Sequence, residues 1–196
     1  MRNLTSLALS AFLVSFTLAV SPPAVFAGNG LYATASIGPA SDSTEMGGSE
    51  LSSGGTGYAV GGSVGARFGD FIQYDVWEVT YMSRSQPGYT WSVLNVGTGF
   101  RFGAFAESSR LHPYLSAGIG GSRAEENLLG LANSEWGFEW NVGGGVLVDI
   151  TDSIALGVRY RYRSSAYDTL NGVSVPEVNL NIHQISFEVA FGAYGK

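Results

Sequence analysis

Between Trp136 and Tyr167 the chain alternates with a period of two for the length of a hairpin. Phe138, Trp140, Val142, Val146 and Val148 fall on one face, and Glu139, Asn141, Gly143, Gly145 and Asp149 on the other, the spacing that a pleated strand imposes. A short connection, Asp149-Ile150-Thr151-Asp152-Ser153, has turn-forming chemistry. The alternation then resumes, with Leu156, Val158, Tyr160 and Tyr162 against Gly157, Arg159, Arg161 and Arg163. One face of this hairpin is aliphatic and aromatic; the other carries arginines, a glutamate and glycines.

The same reading predicts six further strands. The first covers 30–38, with Leu31, Ala33, Ala35 and Ile37 alternating with Tyr32, Thr34 and Ser36, and a Ser/Gly/acidic loop follows at 39–55 with Asp42, Glu45 and Glu50. The second, 58–68, sets Tyr58, Val60, Val64, Ala66 and Phe68 against Ala59, Gly61, Ser63, Gly65 and Arg67, and Gly69-Asp70 turns the chain into the third, 71–82. There Ile72, Tyr74 and Val76 share one phase while Trp77, Val79 and Tyr81 take the other. A bulge near Val76-Trp77 resolves that slip and leaves Asp75 and Glu78 both inward. A loop at 83–88, a fourth strand at 89–102, a return at 104–111 and a fifth strand from His112 follow, with a loop at 123–134 carrying Glu125 and Glu126. The opening hairpin supplies strands six and seven, and after a loop at 164–177 the eighth runs over 179–191.

Charge decides which face meets which solvent. Charged residues make up 13% of the chain and Lys196 is its lysine, too little to solvate the outside of a water-soluble barrel. The apolar face therefore looks at lipid and the polar face into a narrow interior, since only helices and closed barrels satisfy every backbone group inside a bilayer. The expected fold is all-β, an eight-stranded antiparallel up-and-down transmembrane β-barrel over 28–196. Longer, more polar connections after strands one, three, five and seven alternate with shorter ones, which puts both termini on the periplasmic side. Eight strands enclose a lumen just wide enough for side chains. It is expected to be packed, with Arg67, Arg101, Arg159 and Arg161 opposite Asp75, Glu78, Glu139 and Glu188, because unpaired buried charge is expensive. Inward glycines at 61, 97, 99, 118, 120, 143, 145 and 157 leave room for those arginines. Outward Trp77, Trp136, Trp140, Tyr160, Tyr162 and Phe191 supply interfacial aromatic girdles.

Composition adds the compartment. Residues 4–20 form an apolar run after Arg2, followed by Pro22-Pro23 and Val25-Phe26-Ala27, the pattern of a signal peptide cleaved after Ala27, so that 1–27 is removed. Its loss deletes Arg2 and no acid, taking the net charge from -6 to -7. An acidic chain argues against a nucleic-acid partner, and an exported chain with no cysteine has no disulfide framework.

Three pieces together carry a resemblance: Leu111-His112-Pro113-Tyr114-Leu115-Ser116-Ala117-Gly118-Ile119-Gly120, the strand from Val142-Gly143-Gly144-Gly145 to Asp149 with Arg159-Tyr160-Arg161-Tyr162, and the closing stretch from His183 to Phe191. The chain resembles the small outer-membrane β-barrel family that includes the opacity-type adhesins and the membrane half of outer membrane protein A. That resemblance implies location in the bacterial outer membrane and insertion by the outer-membrane assembly machinery, which reads an aromatic residue at the end of the last strand. Here Phe191 or Tyr194 serves. It also implies outer-membrane lipid and lipopolysaccharide as surroundings, a monomer, and an adhesin-like or structural role open to an extracellular ligand; where the chain departs from the family, no C-terminal periplasmic domain and so no peptidoglycan tether is expected.

Two other classes remain to be weighed. Lipid A deacylases and palmitoyl transferases look like this fold, and hydrolysis needs a serine, a histidine and an orienting acid within reach. The two histidines are His112, at the periplasmic start of strand five, where it caps a turn, and His183. The position two residues after His183 on the same face is Ile185, and Ser186 points the other way. No catalytic residue is therefore assigned, no cofactor is called for, and the loop acids Asp42, Glu45, Glu50, Glu125 and Glu126 are solvated rather than metal-binding. A small-solute channel is the third class.

Overall fold

In the computed structural model the described residues are 30–46, 49–86, 89–106, 108–128, 131–170 and 173–192, so the expected signal peptide and Tyr194 lie outside them. The eight strands are β1 (Leu31–Met46), β2 (Ser49–Phe68), β3 (Ile72–Gln86), β4 (Tyr89–Gly103), β5 (Leu111–Leu128), β6 (Leu131–Thr151), β7 (Ile154–Leu170) and β8 (Val173–Gly192). Each pairs antiparallel with its sequence neighbours, and β8 returns to β1 through Tyr32↔Gly192 and Ser36↔Glu188, closing the barrel. Closure follows from the sequence: every strand exposes an apolar face, and a closed sheet leaves no unpaired edge in hydrocarbon.

In the four stretches expected to be outer loops, the described residues are instead strand. Residues 39–46 pair with 49–58 across β1 and β2 from Pro39↔Tyr58 up to Met46↔Ser49, and the ladders run on up to Gln86↔Tyr89 across β3 and β4, up to Leu128↔Leu131 across β5 and β6, and up to Leu170↔Val173 across β7 and β8. Ser, Gly and Thr read as loop residues because they lack apolar alternation, yet they hydrogen-bond a ladder as well as any residue once its register is set below. Strands of 15 to 21 residues result, against roughly 9–11 needed to cross a bilayer. At the opposite end the connections are the turn at 69–71, in which Gly69 takes φ 65°, the segment 104–110, and the turn at 152–153.

The bulge expected in β3 is present. Val64 pairs with Trp77 and Gly65 with Asp75, so Val76 has no opposite residue on β2. On β4 the register jumps from Asp75↔Gly99 to Glu78↔Gly97, and the intervening Thr98 donates its hydroxyl to the Asp75 carbonyl oxygen at 2.7 Å. The extra residue turns Val76 and Trp77 outward, 43% and 61% exposed, while Asp75 and Glu78 both face inward and are buried.

Along β8 the alternation also changes sense. On the lower part of β8, Ile185 and Phe187 face out while Gln184, Ser186 and Glu188 are buried inside; above His183, the buried inward residues are Ile182, Leu180 and Val178, with Asn181 and Asn179 on the outward phase. Below this level the barrel is apolar outside; above it, apolar inside. The outer halves of the strands are therefore packed as in a protein in water.

Deleting Val76 removes the extra residue of the bulge and forces either Asp75 or Glu78 onto the lipid face. The expected result is loss of the compact, heat-modifiable species on unboiled gels, whereas Val76→Ala, which keeps the register, retains it.

Candidate functional site: the sealed polar interior

The inward residues form four levels. At the periplasmic end Phe105, Leu147, Ala155, Ala190 and the rings of Tyr32 and Tyr114 make one buried apolar cluster. Phe105 is brought there by residues 104–106, which fold under the barrel with the Phe105 amide donating to the Asp70 carbonyl at 2.7 Å.

Above it lies the first charged level, centred on Arg101. Its Nε donates to Asp75 at 3.0 Å, one terminal nitrogen to Glu188 at 2.5 Å and the other to Ser63 at 3.3 Å. Two inward tyrosines complete the carboxylates: the Tyr32 hydroxyl donates to Asp75 at 2.8 Å and that of Tyr114 to Glu188 at 2.5 Å. Their rings also flank the guanidinium, at 5.7 and 5.2 Å. Glycine makes the room: a Cβ at Gly65 would come 2.7 Å from the Tyr32 hydroxyl, and one at Gly145 2.8 Å from that of Tyr114. Arg159 joins this level, 4.0 Å from Glu188 and 3.4 Å from Ser36.

The second charged level is centred on Arg163, which donates to Glu139 at 2.5 Å, to Glu78 at 2.6 Å and to Thr80 at 2.9 Å. Arg161 contacts Glu78 from the same strand, and Asn141 donates to Glu139 at 3.3 Å. Over this level sits a second apolar cluster of Ala40, Ala59, Met82, Trp91, Val93, Tyr167, Leu180 and Ile182. Arg84 and Asp42, 2.9 Å apart, lie beside Trp91 at the same end.

Of the interior residues expected from the sequence, Arg101, Arg159, Arg161, Asp75, Glu78, Glu139 and Glu188 are brought together in these two levels. Arg67 is not. It sits half-buried at the periplasmic end and donates to the Phe105 carbonyl at 3.1 Å, because it is the last inward position of β2 before the turn. Arg163, on the inward phase but outside the expected set, takes the place beside Glu139. Tyr32, Tyr114 and both apolar clusters were also missed; Tyr32 and Tyr114 lie on the inward phase of β1 and β5, which was the available signal.

On the outside, Trp77, Trp136, Trp140 and Tyr160 are exposed, while Tyr162 and Phe191 are half-buried. Tyr162 packs against Trp140 and the His183 ring and donates to Asn181 at 2.9 Å. His183 Nδ1 is 2.7 Å from the Tyr160 hydroxyl, beside exposed Ile185, and Ser186 is buried on the opposite face. His112 is fully buried between the Ala104 carbonyl and Asp149, each at 2.9 Å, tying two periplasmic connections together. Among the described residues no group of three or more histidines and acids is placed to hold a metal ion.

These features agree with comparisons to known proteins. No curated protein matches the sequence. Among solved structures, the chain is similar to Neisserial surface protein A, with 22% identity, a TM-score of 0.60 and coverage of 83% of this chain and 96% of that one. It is similar in fold to the outer membrane enzyme PagL, with 15% identity, a TM-score of 0.51 and coverage of 78% and 97%. For Ail, the attachment invasion locus protein of Yersinia pestis, the values are 16%, 0.45, 82% and 98%. At such identities the likeness concerns the fold. Residues 9–191 match the outer membrane protein beta-barrel domain family, and the chain belongs to that family of bacterial outer-membrane proteins.

Proposed function

We propose that this barrel is a closed, non-enzymatic scaffold that displays its outer hairpins at the cell surface in a structural or adhesin-like interaction role. The observation that supports this best is the stacking of the interior: two levels of paired charge lie between two buried apolar clusters. A conducting path would have to cross both clusters, and side chains already fill the width of an eight-stranded lumen. The enzymatic alternative has little to work with, since His183 pairs with Tyr160 and neighbours Ile185 on its own face, and His112 is consumed by backbone and Asp149. The charge network then serves stability: each buried guanidinium holds two strands or more to a common level.

The outer halves of the strands carry Asp42, Glu45, Glu50, Glu125, Glu126, Glu135, Asp168 and Glu177 against Arg84 and Arg123. An extracellular partner recognised by this end would be basic, and its association would weaken with added salt.

Planar bilayers containing the folded protein are expected to show no stepwise single-channel currents, and lipid A from cells expressing it to keep its mass; ohmic steps or loss of an acyl chain would each defeat the reading. Replacing the outer hairpin of β1–β2 or β7–β8 with a neutral hairpin is expected to abolish any cell-surface adhesion phenotype without altering heat modifiability. For the network, Arg101→Met leaves Asp75 and Glu188 buried with one partner fewer, a loss of about 3–5 kcal/mol. Urea unfolding in lipid vesicles checks this, with Arg67→Met expected to cost far less because Arg67 stands at the half-buried periplasmic end.

A further inference from the structure

The seal at the periplasmic end depends on a histidine whose two ring nitrogens both face oxygen acceptors. Residues 104–106 carry the plug: Phe105 is fully buried, its ring 6.3 Å from those of His112 and Tyr114. Four backbone groups hold it in place. The Ala104 amide donates to the Pro113 carbonyl at 3.1 Å, and the Phe105 amide to the Asp70 carbonyl at 2.7 Å. The Phe105 carbonyl accepts from Arg67 at 3.1 Å, and the Ala104 carbonyl lies 2.9 Å from His112 Nδ1. Amides and a guanidinium keep their protons at any physiological pH; an imidazole does not.

A carbonyl oxygen can only accept, so the contact with Ala104 needs a proton on Nδ1. Across the ring, Nε2 lies 2.9 Å from Asp149 Oδ2. An ionised carboxylate also only accepts, so this contact needs a proton on Nε2. A neutral imidazole has one N–H and satisfies one of the two contacts; the imidazolium satisfies both. Asp149 Oδ1 is buried and accepts no hydrogen bond among the described residues, so the charge on the ring is what offsets the carboxylate. Among the other ionisable groups at this end, Arg67 is spent on Phe105 and Tyr114 on Glu188, while Asp70, Arg110 and Asp152 are exposed; Glu107 lies outside the described residues.

The closed geometry therefore holds one proton more than a neutral ring beside a carboxylate. As the pH rises, that proton leaves to water past Asp149, whose side chain is 11% exposed. The proton that remains stays with the carboxylate, the stronger acceptor. Nδ1 then turns a lone pair toward the Ala104 carbonyl, and that link is lost. The stability it contributes is complete on the acid side and gone on the alkaline side.

We infer that His112 is a proton-held latch: doubly protonated, it clamps the Ala104 carbonyl to Asp149, and loss of one proton releases residues 104–106 and the Phe105 plug. The Arg101 level keeps its own pairs, so release admits water to the lower apolar cluster without opening a path through the barrel.

Nitrogen-15 NMR of the folded chain in detergent micelles, labelled at histidine, tests this when amide exchange at Phe105 is followed over the same pH series and corrected for its intrinsic rate. The His112 ring should show two N–H nitrogens at the acid end. Over one and the same pH interval it should drop to one while Phe105 exchange speeds up roughly tenfold, and the Ile185 amide in the β8 wall should keep its rate. Asp149→Asn offers an amide N–H to Nε2 and lets a neutral ring hold both contacts, so Phe105 exchange should stay slow throughout. His112→Phe should make it fast throughout. Should either variant lose heat-modifiable migration, the titration of the unsubstituted chain decides. A ring with a single N–H at the acid end, a ring that titrates while Phe105 exchange stays flat, exchange that speeds up while the ring keeps both protons, or a step that survives in Asp149→Asn would overturn the latch.

Discussion

A guanidinium removed from bulk water must be met on every side by groups that replace its hydration, and this requirement shapes the inside of the barrel. Arg101 meets it with Asp75, Glu188 and Ser63, and with the faces of two tyrosines whose hydroxyls go to those same carboxylates. Arg163 meets it in part, its two terminal nitrogens donating to Glu78, Glu139 and Thr80 while its Nε has no hydrogen-bond partner. The partners come from β1, β2, β3, β5, β6 and β8, so satisfying two cations fixes the relative heights of strands far apart in sequence. Register slips, the ordinary weakness of glycine-rich strands, would leave charge unpaired in a low dielectric.

The same strands answer to two solvents. Through the bilayer their outward side chains face hydrocarbon and the inward ones face each other as polar groups; beyond it the roles exchange, with Trp91, Met82, Leu180 and Ile182 drawn inward. The crossover at His183 on β8 marks the outer interface from the strand's own chemistry. It also explains the closure of the lumen, since the inward apolar residues of the outer half pack directly over the upper ion pairs.

Most of the barrel was legible because alternation is a local signal. Strand number, phase and the bulge at Val76-Trp77 could be read from where apolar residues fall, and the bulge in turn placed Asp75 and Glu78. The outer hairpins were not legible as strands: once the alternation inverts, Ser, Asn and Gly occupy the outward positions and the stretch imitates a loop. The interior partners were only half legible. Phase says that Arg67 and Arg163 both point inward, but height along the barrel, which depends on strand tilt and pairing across the closure, separates Arg67 beside Phe105 from Arg163 beside Glu139. The inward tyrosines Tyr32 and Tyr114 needed the glycines opposite them to be recognised as space rather than as turns.

The ladder that runs on past the membrane has a mechanical consequence. A 20-residue strand such as β8, inclined at about 45°, rises roughly 48 Å, against an apolar band of about 25 Å. The remainder makes a stiff turret of order 20 Å, cross-braced by backbone hydrogen bonds and filled with its own aliphatic core. Anything approaching the outer end would meet the paired strands as one braced pedestal, since tilting any single strand would break the ladders on both of its sides.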